Sequence, residues 1–98
     1  MSKSLLERRL SEVGDRLKAL REELGVVDEQ LAVFVDSADD ARLRALVSET
    51  PLAGREHTEA RRHADAMARH RSDLVAEVDK LERSQDDLLD RLVAEARS

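Results

Sequence analysis

The chain has 98 residues, enough for one small domain; 40% of them are charged and the formal net charge is −5. It contains no Cys, Trp or Tyr and a single aromatic residue, Phe34. That excludes a disulfide framework, a thiolate metal centre and a core built on aromatic bulk, while the negative balance weighs against general nucleic-acid binding.

The opening stretch "MSKSLLERRLSEV" carries charges inside its first apolar segment, so it does not read as a signal peptide. No run of about 18 apolar residues is present to span a membrane. A cytoplasmic location is expected.

From Leu6 the apolar residues fall into step. Leu6, Leu10, Val13, Leu17, Leu20, Leu24, Val27, Leu31 and Phe34 recur at alternating spacings of four and three. This is a heptad stripe without a polar member, and Glu7, Arg9, Arg16, Arg21, Glu23 and Asp28 flank it. It predicts a first helix from about Ser4 to about Val35. Gly14 and Gly25 lie off the stripe, and each costs about 1 kcal/mol of helix propensity.

The stretch "DSADDARLRALVSETPLAG" follows. Ser37 suits an N-cap, and Asp39 and Asp40 suit a first helical turn. A short helix over about 38–48 is expected, with Ala41, Leu43, Ala45, Leu46 and Val47 as its apolar side, folded as a cap over the end of a hairpin. Thr50–Pro51 marks the next start, with Thr as N-cap and Pro at the first helical position. A third helix then runs from about Pro51 to about Ala96.

That helix carries a second stripe: Ala60, Ala64, Met67, Arg71, Leu74, Val78, Leu81, Gln85, Leu88 and Leu92. Two members, Arg71 and Gln85, are polar, as residues that fix register often are. Val75 and Leu89 lie beside the stripe and widen the apolar face, which points to self-association as a homodimer. The fold class expected is all-α: an antiparallel coiled-coil helical hairpin with a short capping helix between two long helices. In one register, facing residues have numbers that add to 98.

Chemistry-bearing residues gather in "GREHTEARRHADAMARHR". It holds His57, His63 and His70, and it holds Arg55, Arg61, Arg62, Arg69 and Arg71. His63 and His70 share a face but lie about 10 Å apart along the axis, too far for two ligands of one metal unless another chain contributes. The arginines are interleaved with Glu56, Glu59 and Asp65, and no aromatic side chain is near to stack on bases. A solvated helix face is the favoured reading, and nucleic-acid binding through it ranks third among functions. No phosphate loop and no nucleophile elbow occur. The expectation is therefore no enzyme, no cofactor and no small-molecule substrate.

Asp36, Asp39 and Asp40 are expected at the hairpin's end. In outline this resembles the transcript-cleavage factors of the Gre type, whose antiparallel coiled coil carries acids at its tip and enters RNA polymerase. The resemblance implies RNA polymerase as a partner, although that family's tip motif is replaced here by "SADDARL". The Arg- and Ala-rich style of "DDARLRALVSETPLA" and "RRHADAMARHR" also resembles small coiled-coil hairpin proteins of high-GC bacteria, which implies no particular chemistry. The leading functional expectation is a non-enzymatic protein–protein interaction or scaffold module, acting through Asp36, Asp39 and Asp40 or through Arg55, Arg61, Arg62, His63, Arg69 and His70.

Overall fold

The computed structural model describes residues 2–98. Two helices account for nearly all of them: α1, Lys3–Ser48, and α2, Pro51–Arg97. No strand occurs among the described residues. The molecule is an all-α helical hairpin.

Each helix starts where a hydroxyl can serve its free amides. Ser2 Oγ accepts from Leu5 N at 3.2 Å, and Thr50 Oγ1 accepts from Ala53 N at 3.2 Å. Pro51 sits at the first position of α2, where its missing N–H costs nothing. α1 ends as Glu49 turns into the left-handed region with φ 51°, while its N–H still donates to Ala45 O at 3.1 Å. Glycine usually holds that position because it has no Cβ to clash. Glu49 and Thr50 alone reverse the chain.

The capping helix expected over 38–48 is helical, but it is the last part of α1 and not a separate element. Ser37 lies inside the helix and caps nothing. The reason is twofold. Between Val26 and Thr50 there is neither Gly nor Pro to halt a growing helix, and adding a residue to an existing helix is far easier than starting a new one. The seam also never stops: Ala38, Ala41 and Ala45 continue the same three-and-four spacing after Phe34, and all three are buried or half-buried. On α2 the stripe likewise begins earlier than expected, with Ala53 and His57.

The chain packs as two units. The terminal unit joins residues 1–23 to 74–98. Its interior is leucine-rich: Leu6, Leu17 and Leu20 from α1 are at most 1% exposed, and Leu74, Val78 and Leu88 from α2 are buried with them. Two ion pairs cross between the helices, Arg16 Nη2 to Glu77 Oε1 at 3.0 Å and Arg21 Nη2 to Glu82 Oε1 at 3.2 Å. Both are open to water, so each contributes at most about 1 kcal/mol. The numbers of these pairs add to 93 and 103, the first below and the second above the 98 read from the stripes.

The turn unit spans residues 24–73. Val27, Ala41, Ala53 and Ala64 are its buried residues. Toward the turn the seam is alanine on both sides, from Ala38, Ala41 and Ala45 to Ala53, Ala60 and Ala64. Alanine buries only a methyl group, so each layer there contributes less than a leucine layer. Phe34 packs edge-on against the ring of His63, with centroids 6.0 Å apart. Arg71 Nε donates to Asp28 Oδ1 across the helices. These two contacts also lie one residue either side of the 98 register.

No buried side-chain polar atom lacks a hydrogen bond among the described residues. No described helix is long and apolar enough to cross a membrane.

Candidate interaction surfaces

With the seam filled by apolar groups, the charged residues are displaced to the outside. Asp36, Asp39 and Asp40 are exposed on α1, but they do not crown the hairpin. They precede the turn by eight or more residues, at least about 12 Å along the helix axis. This corrects the expectation of an acidic end. The turn is instead formed by Glu49 and Thr50 and bordered by exposed Leu43, Leu46, Val47 and Leu52. Val47 is the most exposed of these, at 85%.

A shallow depression in the turn unit brings Asp39 and Arg42 of α1 toward His57, Arg61 and Asp65 of α2. Two acids, two arginines and a histidine balance there, so it has no strong preference for either sign of ligand. A second, open depression lies along α2 alone and is lined by Gly54, Arg55, Thr58, Glu59, Arg62 and His63. Thr58 Oγ1 donates back to Gly54 O at 3.1 Å, and Glu59 Oε1 lies 3.9 Å from His63 Nε2. These are contacts one turn apart on a helix surface. They need no ligand to explain them.

The histidines do not converge. His57 is half-buried at a seam position, His63 leans on Phe34, and His70 is exposed. No group of three or more His, Cys, Asp or Glu that could hold a metal exists among the described residues. Arg69 is exposed on the outside of α2, as are Arg55, Arg61 and Arg62.

Val75 and Leu89, the two residues expected to face another chain, differ. Val75 is half-buried within the hairpin, whereas Leu89 is exposed beside Val93 one turn on. Part of the extra apolar width is thus used inside the chain.

Leu43, Leu46 and Val47, expected on the packing side of the capping helix, are exposed instead, because the segment continues α1 and turns Ala41 and Ala45 into the seam. The available signal was the contrast of large apolar residues off the stripe with alanine on it. A scan against protein-family models gives no match, and searches of curated proteins and of solved structures give none either.

Proposed function

We propose that the protein is a non-enzymatic protein–protein interaction module of the cytoplasm that presents the turn of its hairpin to another protein. The observation that supports this most is an inversion at the turn. There the helices bury alanine and expose Leu43, Leu46, Val47 and Leu52. A chain selected only to fold would place its larger apolar groups inside. Contiguous exposed apolar surface on a small protein commonly marks an interaction site. Docking on RNA polymerase through Asp36, Asp39 and Asp40 has less support, because those acids flank α1 and stand back from the turn.

The test is a tagged pull-down from nuclease-treated source lysate, comparing wild type with Leu46→Glu/Val47→Glu. Both positions are exposed, so the variant should keep its helix content and melting temperature. A protein retained by wild type and lost by this variant supports the reading. A partner retained equally by both overturns it.

A further inference from the structure

The charges outside the seam are not scattered. Between Arg21 and Arg42, α1 has no basic residue at all. Within the turn unit, Glu29 and Asp36 lie seven residues apart on the helix side that faces away from the seam, and Asp40 extends the line. Val26 and Val33 are exposed beside them, at 54% and 63%. On α2 the corresponding outward line reads Arg55, Arg62 and Arg69, again every seven residues, with Arg61 alongside. The flank of that line toward Arg61 holds Thr58, Ala68 and Ser72, with Asp65 as its one acid. The acids Glu59 and Asp73 lie on the other flank.

These charges contrast with those near the seam. Arg16, Arg21 and Arg71 each have a carboxylate of the opposite helix. None of Glu29, Asp36, Arg55, Arg62 or Arg69 forms an ion pair among the described residues. One helix therefore has an unpaired acidic line and the other an unpaired arginine line. Both repeat at about 10.5 Å.

We propose that the protein self-associates through these two faces, the acidic α1 face of one copy docking on the arginine line of α2 in another. The matched spacing lets several pairs form in one register, and Val26 and Val33 place apolar surface between the acids. A single exposed ion pair contributes little, so association depends on the repeat and on low ionic strength. The contact is heterologous: each copy keeps one unused face of either sign, so association continues past two copies unless the arrangement closes. This inference goes beyond the turn-end reading and uses none of its residues.

Sedimentation velocity over a concentration series, at about 20 mM and about 500 mM salt, tests it with two charge-reversed variants. One is Glu29→Arg/Asp36→Arg and the other is Arg62→Glu/Arg69→Glu. Wild type should associate at low salt, and the affinity should fall at least about tenfold at high salt. Each variant alone should stay monomeric, because its two faces then have the same sign. An equal mixture of the two should associate again, because the reversed α1 face of the first matches the reversed α2 face of the second, and the native α1 face of the second matches the native α2 face of the first.

Monomeric wild type at low salt overturns the proposal. So does a variant that associates alone as wild type does, or a mixture that stays monomeric. Circular dichroism confirms that each variant is helical. The neutral pair Glu29→Gln/Asp36→Asn and Arg62→Gln/Arg69→Gln, expected to weaken wild-type association in proportion, serves if a reversed variant does not fold. Failure here leaves the turn-end reading standing, since the lysate experiment is scored on Leu46 and Val47.

Discussion

Arg71 occupies a seam position between Met67 and Leu74, yet its guanidinium turns out of the seam and donates from Nε to the carboxylate of Asp28. A long side chain at such a position can lie along apolar surface and still bring its charged head to water. Both side chains are more than two-fifths exposed, so the pair itself contributes little. Replacing Arg71 by Leu should therefore stabilise the fold by about 1 kcal/mol, raising Tm by roughly 4–8 °C. A Tm equal to or below that of wild type would show that the pair with Asp28 outweighs an added apolar group.

Leu20 is fully buried in the terminal unit. Leu20→Ala should cost about 2–5 kcal/mol, since it removes a whole side chain and leaves a cavity the helices fill only in part. Chemical denaturation would show this as a lower midpoint.

The alanine layers of the turn unit predict uneven protection. Amide hydrogens of 38–60 should exchange faster than those around Leu17, Leu20, Leu74 and Val78, because local opening there exposes less apolar surface. Mass-resolved hydrogen exchange reads this directly, and uniform protection along both helices would contradict it.

Gly25 lies in the middle of α1, and a Cβ built on it meets nothing within 4 Å. Gly25→Ala should stabilise by about 0.5–1 kcal/mol through lower backbone entropy in the unfolded chain. Glu49→Gly should act in the same direction for a different reason, relieving a left-handed residue that carries a side chain. Thermal melts of the two single variants and the double variant check both effects. They should add, since the sites lie far apart in α1 and in the turn.

Much of the fold is legible from spacing alone. The stripe from Leu6 to Phe34 names the buried side of α1, and the stripe from Ala60 to Leu92 names that of α2. The Thr50–Pro51 start is where the spacing and cap place it. The end of α1 is not legible in the stripe, because leucine gives way to alanine there and Asp36–Ser37 has the composition of a cap. Composition lost to continuity: without a breaker, Ala38, Ala41 and Ala45 carry the helix on.

The surfaces were harder to read. Residues such as Glu29 or Arg62 look like ordinary solvated positions one at a time. Their meaning lies in a seven-residue repeat and in which charges the seam already pairs. The latter is visible only once Arg16, Arg21 and Arg71 have found their carboxylates.

The concentration of leucine in the terminal unit and of alanine beside the turn also bears on how the chain reaches its fold. The contacts nearest in sequence are those around the turn, and they are the weakest. The leucine layers accompany pairs such as Arg16 with Glu77, 61 residues apart. Folding cannot simply zip from the turn, because the first layers gained return too little to offset the ordering they require. The chain must close a long loop before its strongest contacts form. It should fold more slowly than helical proteins whose best contacts are local, and its rate should respond to Leu17 and Leu20 more than to any residue of the turn.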